Sequence, residues 1–169
     1  MSQKISNISK YLDSTFLKTS VELNISKKEL EKIIISFVKQ AVEYNFKCVM
    51  IRSNYVSLAK SIISDKKSNV IVGTVVDFPL GTSCFEQKIK EAKEVLKNGA
   101  QELDYVCDYN SFKMGELDSF DESILKCTKI GLEANAVVKW IVETGALSKS
   151  EIKSISKRIY DIILKNFPD

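Results

Sequence analysis

No histidine occurs anywhere in the 169 residues. Every Ser–His or Cys–His nucleophile is thereby excluded, and acid–base work falls to Asp, Glu, Lys, Tyr or water. Zinc is disfavoured too, because Cys48, Cys84, Cys107 and Cys127 stand far apart with no Cys-x-x-Cys pair. No run approaches the roughly 20 apolar residues of a membrane span. The stretch from Met1 to Lys10 is polar and lacks the apolar core of a signal peptide. Reduced thiols and a cytoplasmic location are therefore expected. The formal charge is only +3, and the lysines are dispersed, so neither a nucleic-acid nor a membrane partner is expected. A basic pocket for an anionic small molecule stays open. No low-complexity segment or linker divides the chain.

What is present is an ordinary globular balance, 44% apolar and 28% charged, enough to bury one domain's core. Helical periodicity is strongest from Ser26 to Asn45, where Leu30, Ile33, Ile34, Phe37, Val38 and Ala41 share a face and Ser26 with Glu29 forms a capping box. A second helix is expected over Tyr55 to Asp65. Ser83 and Glu86 predict another capping box, opening a helix with Ile89, Ala92, Val95 and Leu96 inside and Asn98-Gly99 as its stop. A fourth runs from about Phe120 to Ile130 and is stopped by Gly131. Ser148 and Glu151 cap a fifth, striped by Ile152, Ile155, Ile159 and Ile162.

Between these helices lie runs that are apolar on both parities: Cys48 to Ile51, Val70 to Val76, Glu102 to Val106 and Ala136 to Val142. Such runs suit buried parallel strands covered by helices. With a shorter first strand near Tyr11 to Thr15, the order is βα repeated five times, an α/β protein with a parallel sheet. Two architectures fit. An open, flavodoxin-like doubly wound sheet is complete at five strands and would be a non-catalytic binding module. A (β/α)8 barrel takes about 250 residues and leaves three units outside this chain.

In either architecture function sits at the C-terminal ends of the strands. Asp13, Asp77, Asp104 and Lys139 fall within or at the ends of predicted strands. Asp104 lies mid-run, and Lys139 is flanked by Val138 and Trp140. A charge inside such a run costs several kcal/mol unless it is paired. One reading is a structural ion pair, or a Lys139 that reaches the surface from its strand end. The other is a carboxylate and an ammonium on adjacent strands, arranged for proton transfer. Asp13, Asp77 and Lys139 also loosely suggest a phosphoacceptor receiver domain. However, Leu12-Asp13-Ser14 has one acid where such a domain has an acidic pair, and Trp140 stands where it has proline.

Four segments carry a resemblance. Leu12-Asp13-Ser14-Thr15-Phe16-Leu17-Lys18 resembles the I-D-H-T-L-L-K opening of the deoxyribose-phosphate aldolase family, with Ser14 in place of histidine. The stretch from Gly73 to Gly81 is similar to that family's C-T-V-I-G-F-P-L-G. Gly99 to Val106 resembles G-A-x-E-I-D-M-V, continued by Lys113 and Gly115. Val138 to Ser148 is similar to K-V-I-x-E-T-x-x-L-T. Together they cover essentially the whole chain in the family's order.

The resemblance implies a (β/α)8 (TIM) barrel, here one partial domain over residues 1–169. It implies reversible cleavage of 2-deoxy-D-ribose 5-phosphate into glyceraldehyde 3-phosphate and acetaldehyde through a lysine imine. It implies a small phosphorylated sugar as the partner and no cofactor or metal, and leaves a homodimer open. Asp104 matches the catalytic aspartate that relays protons through water, and Lys139 matches a strand-five lysine that supports the relay. Thr15 and Leu17 match positions that contact the substrate.

Several departures accompany the resemblance. Met50 stands where many members carry cysteine, and Cys48, two residues away, reads as core. Arg52-Ser53 replaces Asn-Pro after the second strand. Asp77 replaces a glycine, as either a solvated rim residue or a disturbance of the site. The family's D-F-[VI]-K-T-S-T-G segment, whose lysine forms the imine, has no counterpart before the chain ends at Asn166-Phe167-Pro168-Asp169. Strands six to eight are therefore expected to be missing and the fragment inactive, and Lys139 is not expected to substitute.

Overall fold

A computed structural model describes residues 8–168; most of the polar N-terminal stretch considered above, residues 1–7, lies outside the described residues. Five strands form: β1 (Asp13–Phe16), β2 (Cys48–Ile51), β3 (Ile71–Val76), β4 (Glu102–Val106) and β5 (Val137–Ile141). They alternate with α1 (Lys27–Glu43), α2 (Val56–Asp65), α3 (Phe85–Lys97), α4 (Tyr109–Met114), α5 (Leu117–Glu133) and α6 (Lys149–Asn166). The sheet runs β1-β2-β3-β4-β5. In a doubly wound sheet the first strand lies inside the sheet, between later ones. The sequential order therefore excludes the flavodoxin-like alternative and agrees with a partial (β/α)8 chain.

The chain divides into two compact units. The first runs through Thr74 and adds Asn98–Gln101. Here β1 pairs in parallel with β2, with Thr15 opposite Met50, and β2 pairs with β3, with Met50 opposite Gly73. All four residues of β2 are buried, as both-parity apolar runs require. Cys48 and Met50 are core. The Ser26–Glu29 box forms in both directions and starts α1, which buries Leu30, Ile34, Val38 and Ala41. Leu30, Ile34 and Val38 each contribute roughly 1.5–3 kcal/mol of transfer free energy.

The second unit contains Val75–Lys97 and Glu102–Asp169, with β4 parallel to β5. Its apolar centre is Cys107, Phe120, Ile124, Ile155 and Ile159. The Ser148–Glu151 box opens α6 as predicted. Two expectations fail here for local reasons. Ser83 does not cap α3, because its N–H and hydroxyl both donate to the Asp77 carboxylate, at 2.9 and 2.8 Å. Gly131 does not stop α5, which continues to Glu133. A Cβ at Gly131 would collide with the Val138 side chain, so the glycine serves close helix–strand packing.

Candidate functional site

In the second unit the two faces of the sheet separate clearly. Trp140 Nε1 donates to Thr128 Oγ1 of α5 at 3.1 Å, and Val138 packs where Gly131 leaves room. The Tyr105 and Trp140 rings stack with centroids 5.0 Å apart. Leu103, Tyr105, Val138 and Trp140 therefore face the helices. Side chains alternate along a strand, so Glu102, Asp104 and Lys139 share the opposite face.

On that face Asp104 is in register with Lys139. The Lys139 Nζ lies 3.4 Å from Asp104 Oδ2 and 2.6 Å from Glu102 Oε1. The three side chains differ in access to water: Glu102 has 0% exposure, Asp104 16% and Lys139 38%. Two carboxylates thus flank one ammonium. The arrangement can hold a proton at Nζ and pass one through Asp104, whose side chain keeps some contact with water. Glu102 was missed as a site residue in the sequence. The available signal was its parity, two residues before Asp104 on the same strand.

Thr15 and Leu17 belong to the first unit. Phe16 packs on Phe37 of α1 with centroids 5.5 Å apart, so Thr15 lies on the strand face turned away from its helix, and it is exposed. Leu17 follows the end of β1 half-buried, and its carbonyl accepts from Arg52 Nε at 2.8 Å.

A second charged cluster lies past the end of β3. Asp77 adopts φ 56°, the left-handed region that glycine enters without strain and that Asp tolerates better than most residues. It is neither a solvated rim group nor an unpaired one. Besides the two Ser83 bonds, its carboxylate sits 3.2 Å from Lys88 Nζ. Lys88 is 1% exposed and also donates to the carbonyls of Gly81 (2.8 Å) and Val106 (2.7 Å). An ammonium has three N–H donors, and here three acceptors meet them. Lys88 is therefore held as a structural cation, with no donor or lone pair left for chemistry.

Three further groups of this unit are kept out of acid–base work by burial. Burial pushes the Cys107 thiol up to about 12 and the Cys127 thiol up to about 11, so both stay protonated and inert. Burial also raises the Tyr105 phenol well above its usual range, removing it from acid–base work.

Parallel βα units in sequential order, with a carboxylate–ammonium cluster on the strand face opposite the helices, define the class as (β/α)8-barrel proteins. No protein-family model matches the chain, but individual proteins do. It is 36% identical over 145 residues to a deoxyribose-phosphate aldolase of Thermococcus gammatolerans, covering 86% of this chain and 61% of that protein. A deoxyribose-phosphate aldolase of Caldanaerobacter subterraneus is 37% identical over 150 residues, with 88% and 61% covered. Among solved structures, QR15, an aldolase, superposes with a TM-score of 0.79 at 33% identity over 94% of this chain and 65% of that one. The tetrameric deoxyribose phosphate aldolase of Aeropyrum pernix superposes at 0.74 with 25% identity, covering 96% and 62%. Over nearly all of its length the chain is similar to deoxyribose-phosphate aldolases. It spans about 61% of the length of these curated relatives.

Proposed function

We propose that this chain carries the proton-transfer part of a deoxyribose-phosphate aldolase site, acting on a small phosphorylated sugar in the cytoplasm, with residues 1–169 serving as one partial barrel domain. The reaction is cleavage of 2-deoxy-D-ribose 5-phosphate to glyceraldehyde 3-phosphate and acetaldehyde through a lysine imine. The observation that supports it best is the Asp104–Lys139 pair at 3.4 Å on the strand face turned from the helices. In this reading Asp104 moves protons through water during imine formation and carbon–carbon cleavage. Lys139 keeps the carboxylate anionic and oriented, and Thr15 and Leu17 contact the sugar. Imine formation needs a neutral amine, and Lys139, flanked by two carboxylates, is held as an ammonium. It is therefore not the imine former.

A chimera tests this reading. The matched region of the Thermococcus gammatolerans relative is replaced by this chain, and release of acetaldehyde is followed. Retained turnover is expected, with Asp104→Asn lowering kcat by about 10²–10⁴-fold, the range of a lost acid–base group. A correctly folded chimera in which Asp104→Asn leaves kcat unchanged would refute the assignment. On the native chain, borohydride with deoxyribose 5-phosphate should leave Lys139 unmodified by mass.

A further inference from the structure

The two carboxylates beside Lys139 are not equivalent. Glu102 lies two residues before Asp104, opposite Val137 in the register, so its longer side chain must run along the strand to reach Nζ. It arrives closer than Asp104 does, at 2.6 Å against 3.4 Å, and its side chain has no contact with solvent. A carboxylate sealed from water cannot exchange protons with a solvent relay. It can only remain charged against a fixed cation or stay protonated. Asp104 is the reverse: farther from the ammonium, in the direct cross-strand position, and reached by water.

We infer that Glu102 is a positioning residue that holds Lys139 as an ammonium on the strand face, leaving Asp104 as the carboxylate that exchanges protons. This rests on the reading of Asp104 and Lys139 as the working pair. It adds a division of labour: Glu102, the nearer charge, fixes the place of the ammonium, while Asp104 does the exchange. Two acids on one face would otherwise compete for one ammonium, and the 3.4 Å separation leaves Asp104 the looser partner. The lysine then serves as a counter-charge whose place is set from beneath, and the substrate side of the cluster is the Asp104 side.

Competitive amine labelling of the intact chain tests this without turnover. Limiting acetic anhydride is applied from about pH 8 to about pH 10.5, spanning the ordinary lysine range, and the Lys139 and Lys153 peptides are quantified by mass spectrometry. Lys153 is exposed on α6 and serves as the internal reference. The ratio at high pH reports access, and its change with pH reports how firmly the proton is held.

In the native chain the Lys139/Lys153 ratio should climb about twofold across this window, the ceiling for any amine held a decade or more above the ordinary lysine value, since an opposite charge within ~4–6 Å favours the protonated amine by one to three decades. Glu102→Gln, nearly isosteric, should remove most of the climb, and Asp104→Asn should remove less. A flat native profile overturns the inference, as does Asp104→Asn removing the larger part. If Glu102→Gln does not fold, the native profile and Asp104→Asn still decide. The readout is independent of catalysis, so an inactive chimera leaves this inference standing, and its failure leaves the family reading untouched.

Discussion

Lys88 and Lys139 both bring an ammonium beside a carboxylate in the second unit, yet they end in opposite surroundings. Lys88 leaves helix α3 for a site with 1% exposure, where one carboxylate and two carbonyls meet its three donors. Lys139 lies on strand β5 at 38% exposure, beside two carboxylates of unequal burial. In the first cluster one positive and one negative charge balance and every donor is satisfied. In the second the ammonium lies beside two carboxylates, and water reaches part of the group. Burial of charge is tolerated where it is fully paired; the wetted cluster is where protons can move. The lysine with the deeper burial is thus the structural one, and the proposed site takes the partly exposed lysine.

Removing the closed cluster's cation should break this contrast most severely. Lys88→Met keeps the aliphatic stem but strands the Asp77 carboxylate and two carbonyls. Removing one partner of a buried pair costs about 3–5 kcal/mol, so urea unfolding of the second unit should shift to a markedly lower midpoint. A midpoint within error of the native chain would mean that water replaces the ammonium there.

The open cluster should respond less. Lys139→Met takes the ammonium from beside Glu102 and Asp104, but Lys139 and Asp104 are partly exposed, so water compensates on their side and a loss of about 2 kcal/mol is expected. Adding Glu102→Gln to Lys139→Met should recover more than half of that loss in the same urea experiment, because the stranded charge is gone. If the double variant is as unstable as the two single losses summed, the pair is not coupled and the contrast with Lys88 loses its basis.

The strands were legible because their runs are apolar on both parities: β2 and β4 fall on the expected residues, β3 starts one residue later and β5 is one residue shorter at each end. The capping boxes at Ser26 and Ser148 were equally legible, since each is a contact between residues three apart. The failures are non-local. The Ser83–Glu86 spacing looks like a third box, but Asp77 takes Ser83 from six residues away. Lys88 shares the inner face of α3 with Ala92 and Val95, and nothing local announces the carbonyls of Gly81 and Val106 that meet its ammonium there. Gly131 reads as a stop because nothing local announces Val138. Helix α4 is only six residues long and went unseen; its cap is a bond from Ser111 N–H to Asp108 at 3.0 Å, and Gly115 at φ 81° ends it. In the site, the Asp104–Lys139 pairing follows from two charges interrupting two apolar runs. Glu102 was hidden because it opens its run, where an acid reads as a turn boundary.

The smallest expected effect lies at the edge of the closed cluster and sharpens what "closed" means. Glu91 accepts the Asp77 N–H at 2.9 Å, and its carboxyl is raised above the ordinary value, first by burial and then by the nearby Asp77 charge, against the lowering from the Asp77 N–H bond. A carboxyl that is raised in the folded chain binds more protons there than in the unfolded chain. Stability should therefore fall as pH rises from the ordinary glutamate value through the raised one, opposite in sign to a paired carboxylate. Glu91→Gln keeps an oxygen for the Asp77 N–H and removes the charge. Its thermal midpoint should lose this pH-dependent fall and sit slightly above the native value at neutral pH. A variant that is less stable than the native chain at neutral pH, with an unchanged slope below it, would show that the ionised Glu91 is itself part of the balanced cluster, with Lys88 as its counter-charge.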